Sequence, residues 1–167
     1  MTCRLNGPPR LRGHVGRGRM ARRAPWAVVA ALAAATVSAA PAATADTPDS
    51  LTAALMAVRG VSCAPLRFSP ILEQAAGEIN DSTDKWIDHV ARAAPVSNST
   101  PLLKDLGYGG TKSTFVLGAG RTLGDSIKAL MLQGYARIPD CSYVDYGVSS
   151  LHNASKDLIL TVVVLAA

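Results

Sequence analysis

Histidine is scarce in this 167-residue chain, with three copies, and beyond residue 45 only His89 and His152 remain. A Ser-His-Asp triad therefore has few possible centres, and no G-x-S-x-G nucleophile elbow accompanies them. A membrane-spanning run is lacking too. The apolar stretch Pro25 to Ala40 is interrupted by Thr36 and Ser38 and falls short of the roughly 20 residues that a spanning helix needs. No cysteine stands at the expected cleavage site that follows it, which argues against lipoprotein attachment there. A basic surplus is only apparent. Seven of the 17 Lys and Arg residues lie between Arg4 and Arg23, and from Asp46 onward ten Lys and Arg face twelve Asp and Glu, a net charge of −2. The basic patch required to neutralise phosphates is absent, so nucleic acid is not an expected partner.

What is present begins with an export signal. Basic residues, the apolar run and Ala43-Thr44-Ala45 follow in the order of a secretory signal peptide cut after Ala45. Met20, followed by Ala-Arg-Arg, is the expected start of that signal, with the residues before it as leader. The product is expected to be secreted or held at the cell envelope, with no stable span after cleavage; retention of the apolar segment as an anchor is the alternative. Residues 46–167 then make one domain of 122 residues, large enough to bury roughly two thirds of its unfolded surface. Cys63 and Cys141 remain as an even pair in an exported chain, which favours a disulfide over two separate buried thiols.

Local signals divide the domain into seven elements. Thr47-Pro48 opens a helix that Gly60 stops, with Leu51, Leu55 and Val58 on one face. Ser69-Pro70 opens a longer helix whose apolar positions are Ile71, Ala75, Ile79, Trp86 and Val90, with His89 near its end and a weak point at Asn80 to Asp84. Residues 94–100 form a loop, and a short helix follows from Leu102 to Leu106, opened by Thr100-Pro101. A strand over Lys112 to Leu117, a helix capped by Thr122 and Asp125 that ends at Gly134, and strands over Ser142 to Leu151 and Leu158 to Leu165 complete the order. The last strand is apolar on both faces and is expected at the centre of a small antiparallel sheet covered by helices, an α+β fold.

Three further patterns have bland explanations. Gly118-Ala-Gly120-Arg-Thr-Leu-Gly124 has its third glycine one position late for a dinucleotide loop, and predicts a tight strand-to-helix turn, with no cofactor. His152 falls in a hairpin turn and reads as solvated. Asn80, Asn98 and Asn153 each open an N-x-Ser/Thr sequon that predicts no more than polar loops or helix faces.

LRFSPILEQAA, the Trp86-to-His89 end of the same helix, and DSIKALMLQGYARIPDCSYVDYGVS together resemble the CAP domain, the superfamily of cysteine-rich secretory, antigen-5 and pathogenesis-related-1 proteins, in its small bacterial form. The resemblance covers nearly all of residues 46–167 and implies an αβα sandwich. Many CAP domains carry two histidines and one or two acidic residues able to hold a divalent metal, and some bind lipids or sterols. Matched to that pattern, His89 keeps one imidazole, whereas Phe115 falls where relatives place a glutamate and Tyr135 where they place the later histidine. One imidazole with two aromatic rings is a poor metal site, because zinc takes at least three protein ligands.

The resemblance therefore implies a non-enzymatic domain in which His89, Phe115 and Tyr135 line a ligand pocket, with Tyr135 near His89. A lipid or other apolar small molecule, or an envelope or host protein, is the expected partner. The alternative is a divergent metal-binding hydrolase rebuilt around His89 with Glu78 or Asp125.

Overall fold

A computed structural model describes residues Thr47–Ala167. The predicted leader and signal segment, residues 1–45, lies outside the described residues, as does Met20. In chain order the elements are α1 (Thr47–Arg59), β1 (Arg67–Phe68), α2 (Pro70–Ile87), α3 (Ser99–Asp105), β2 (Ser113–Gly120), α4 (Leu123–Gly134), β3 (Asp145–Asn153) and β4 (Leu158–Ala166).

The four strands form one sheet in the order β1-β3-β4-β2. β4 pairs antiparallel with both β2 and β3, so the doubly apolar strand is central as its sequence predicts. β1, only two residues long, has no counterpart among the predicted elements, and its pairing with β3 is parallel, which makes the sheet mixed. Side chains of β4 alternate between two cores. Val162, Val164 and Ala166 pack with Leu72, Ala75, Ala76 and Ile79 of α2 and Leu103 of α3. Val163 and Leu165 pack with Leu51 and Leu55 of α1 and Leu130 of α4. The result is an α+β fold of three layers, with helices on both faces of the sheet.

Several boundaries move from their predicted places, each for a local reason. α2 runs unbroken through the polar patch because Ser82 Oγ and Thr83 Oγ1 both bond back to the Ile79 carbonyl rather than competing for a turn. Its predicted apolar stripe holds at Ala75 and Ile79 but fails at Trp86 and Val90, which are exposed at 50% and 68%. α3 begins one turn earlier than predicted, because the Asn98 side chain accepts from the Thr100 amide and supplies the N-cap. β2 extends through Gly118 and Gly120, so the predicted tight turn at Gly118 is strand instead. A Cβ at Gly118 would lie 2.1 Å from the Ser126 carbonyl, so that glycine lets α4 lie close against the sheet. At α4 the predicted cap is present: Thr122 Oγ1 accepts from the Asp125 amide at 3.1 Å.

Candidate functional site

One edge of the sheet is β2, the other being the two-residue β1 on β3, and alternate residues of β2 are where polar groups of the backbone remain. Leu117 N donates to Gln133 Oε1 at 3.0 Å, and Arg137 Nη1 donates to the Phe115 carbonyl at 3.1 Å. These backbone groups are bonded by side chains from the α4 layer, so Phe115 and Leu117 turn their N–H and C=O away from β4, and Ser113 follows by alternation. Gln133 lies in the last turn of α4, and Arg137 lies in the corner that follows, where the amides of Arg137 and Ile138 both donate to the Gly134 carbonyl at 2.9 Å.

A groove of about 350 Å³ runs along this edge. Gln133 and Arg137 form one wall, and Ser97, Asn98 and the first residue of α3, Ser99, form the other. Ser113, Thr114, Phe115 and Leu117 supply the floor. Near one end a trio of hydroxyls ties α3 to β2, with Ser113 Oγ 2.9 Å from Ser99 Oγ and 2.8 Å from Thr100 Oγ1. The lining residues include one guanidinium and no carboxylate. An acidic or carbonyl-rich ligand is therefore favoured on charge alone.

The predicted pocket trio is not brought together. Phe115 is in the groove, half-buried on the α2 and α3 side of the sheet. Tyr135 stands at the end of α4 in the opposite layer, 74% exposed. His89 follows the C-cap of α2, beside the hairpin tip, where Asn153 Nδ2 donates to Asp84 at 2.7 Å and to Asp88 at 2.9 Å. Phe115 pairs with Val164, and the hairpin tip closes at Leu158, so about 20 Å of strand separates His89 from the groove. Tyr135 and His89 thus lie on opposite sides of the sheet, contrary to what the CAP resemblance implies.

Backbone geometry explains His89. Its φ is 59°, its amide donates to Trp86 O, and the Val90 amide donates to Lys85 O, both at 3.0 Å, which is a Schellman motif. Gly60 and Gly107, with φ of 67° and 85°, hold the corresponding positions after α1 and α3. Nor do the two carboxylates of the alternative reading meet it. Glu78 accepts from Gln74 Nε2, and Asp125 accepts from Thr122 Oγ1 at the start of α4. Among the described residues no three His, Cys, Asp or Glu side chains gather as a metal site. His152 is exposed in β3 rather than in the turn, 3.5 Å from Asp157.

Behind the groove, the corner after α4 is fixed by groups that bear no chemistry of their own. Arg59 is 5% exposed, and its guanidinium donates to the carbonyls of Ala64, Ile138, Asp140 and Tyr143. Cys63 and Cys141 are bonded, with their Cα atoms 5.1 Å apart, as the pairing predicts. Lys112 Nζ reaches Asp140 at 2.9 Å, bonds Ser142, and lies 4.4 Å from the centre of the Tyr143 ring. The hydrogen bonds from Lys112 and Ser142 hold the Asp140 carboxyl well below its usual range. At the far edge, Tyr108 donates to Asp145 at 2.8 Å while Arg67 Nε bonds the other oxygen at 2.9 Å. Burial first, then that bond, push the Tyr108 phenol up to about 12.

Sequence reasoning missed Ser113, Gln133 and Arg137 because nothing local marks β2 as an edge strand. Gln133 and Arg137 flank the end of α4, four residues apart, but only the sheet order gives that spacing a meaning. The chain matches no family model and no curated protein. Among solved structures it is similar to an outer surface protein from Borrelia burgdorferi, with a TM-score of 0.53 and 12% identity over 70% of this chain and 87% of that one. At that identity the likeness concerns the fold alone.

Proposed function

We propose that the chain is an exported, non-enzymatic binding module of the CAP type, and that its ligand lies in the groove beside β2. The observation that carries this reading is the open groove itself, with backbone groups of Phe115 and Leu117 held only by exposed side chains. An aqueous groove with exchangeable polar partners suits reversible binding, because a ligand can replace each bond it displaces. Its preferred occupant is elongated and acidic, with apolar parts over Phe115 and Leu117 and the acid beside Arg137. This narrows the apolar ligand expected from the sequence. The family reading draws support from the three-layer arrangement, and the location outside the cytoplasm from the predicted signal segment. The structural neighbour is an outer surface protein by name, which accords with that location.

Native mass spectrometry after incubation with a total cell-envelope extract tests the proposal. The wild-type chain is expected to carry an adduct that Arg137→Glu removes. No adduct, or an adduct undiminished by the charge reversal, would count against the groove as a ligand site.

A further inference from the structure

We infer that the groove accepts an extended peptide as an added strand on β2, anchored by a carboxylate at Arg137. The inference rests on the groove being the ligand site and names the chemistry of its occupant. Gln133 Oε1 takes the Leu117 N–H while Arg137 Nη1 supplies a donor to the Phe115 carbonyl two residues earlier. In a parallel ladder, one residue of an added strand does both jobs, giving its N–H to residue i and accepting from residue i+2. The two side chains jointly occupy the place of one residue of an added strand.

Such plugs serve an edge strand by blocking uncontrolled pairing. These two are suited to leaving. Both residues are exposed, and each is held to the edge by one hydrogen bond. An incoming peptide replaces both bonds with main-chain bonds of the same kind, so strand addition loses no hydrogen bond at the edge. The displaced guanidinium is then free to pair with a carboxylate. That carboxylate belongs to the peptide, because the groove lining contains none. The volume of about 350 Å³ holds two to three residues, and the rest of the peptide extends past the ends of the groove.

Three features separate this occupant from a small anion or a fatty acid. A peptide protects the outward amides of Ser113 and Phe115 from exchange, whereas an anion at Arg137 leaves them open. It loses affinity when its own edge-facing amide is methylated. It also gains affinity when the Gln133 plug is removed.

The experiment pans random heptapeptides displayed on phage against the purified full chain, then remakes enriched peptides synthetically, with palmitate as the non-peptide arm. Enriched sequences are expected to be extended and to carry an acidic residue or to bind through a free C-terminus. Gln133→Ala is expected to tighten binding about fivefold by freeing the Leu117 N–H. Methylating the peptide amide that faces Phe115 is expected to weaken it about tenfold or more. Hydrogen exchange should show new protection of Ser113 and Phe115 on peptide binding.

Peptides that bind without that protection, or that are indifferent to amide methylation, overturn strand addition. Binding of palmitate with no peptide enriched overturns it too and leaves the groove as a ligand site. Binding of neither overturns both readings.

Discussion

Arg59 Nη2 donates to the Tyr143 carbonyl at 2.7 Å, joining the end of α1 to the segment that leads into β3. The same guanidinium serves Ile138 and Asp140, so one buried cation, hydrogen-bonded to carbonyls rather than paired with an acid, fixes the corner that carries Arg137. Arg59→Ala should lower the unfolding free energy by about 3 kcal/mol, since it leaves several carbonyls unpaired in a buried place. Arg59→Lys should recover only part of this, because one ammonium cannot reach carbonyls on both sides of the corner. Urea unfolding with the Cys63–Cys141 bond kept oxidised separates this effect from that of the cystine.

His89→Gly is expected to stabilise the protein by up to about 1 kcal/mol, because a left-handed residue after a helix costs a side chain what it does not cost glycine. Thermal unfolding measures the gain. Ligand binding to the groove should not change, since His89 lies at the other end of the sheet. A loss of stability would show that the imidazole contributes more than its backbone position suggests.

Two glycines, one in α2 and one packed against it, should respond with opposite signs. A Cβ at Gly147 would lie 2.1 Å from backbone atoms of Leu72 and Glu73, so Gly147→Ala should destabilise by about 3 kcal/mol or more. A Cβ at Gly77 meets nothing within 4 Å, so Gly77→Ala should stabilise α2 by roughly 0.5 to 1 kcal/mol. Paired denaturant melts of the two variants check both signs at once.

Titration should distinguish the two ends of the pH range. Tyr108 has its phenol raised from 10.0 to about 12 by burial and by its bond to Asp145, so its stabilisation is complete below pH 10 and is lost as pH rises toward 12. Absorbance at about 295 nm, where tyrosinate absorbs, should show one tyrosine ionising late, and Tyr108→Phe should remove that step. Asp88, through Asn153 and Ser155, and Asp140, through Lys112 and Ser142, are both lowered below the ordinary 3.8. Their contribution is therefore present above about pH 4 and lost as pH falls through the folded values. Asn153→Ala should flatten the acid limb of a plot of Tm against pH.

The central strand is legible in the sequence because nine residues, all apolar except Thr161, have one comfortable place in a small domain, between two layers of helices. The helix starts at Pro48, Pro70 and Thr122 are legible because they rest on local chemistry. The placement of His89 is not. Its helix-end position is plain, but whether such a residue faces a pocket depends on φ at one residue and on a hairpin whose Asn153 lies 65 positions beyond Asp88. Gly118 and Gly120 suggest a turn, since sequence cannot tell a glycine that bends the chain from one that makes room for a helix. The groove is hidden for a related reason, because an edge strand is defined by the neighbour it lacks.

β4 lies between β2 and β3, both of which precede it in the chain and neither of which touches the other in the sheet. As the polypeptide is made, those two strands have no partner except the two-residue β1 until residues 158–166 appear. Assembly is consequently a single late event, which closes both cores with one strand. A growing chain must carry its apolar strand faces unpaired until then, and deleting β4 leaves only the two-residue pairing of β1 with β3.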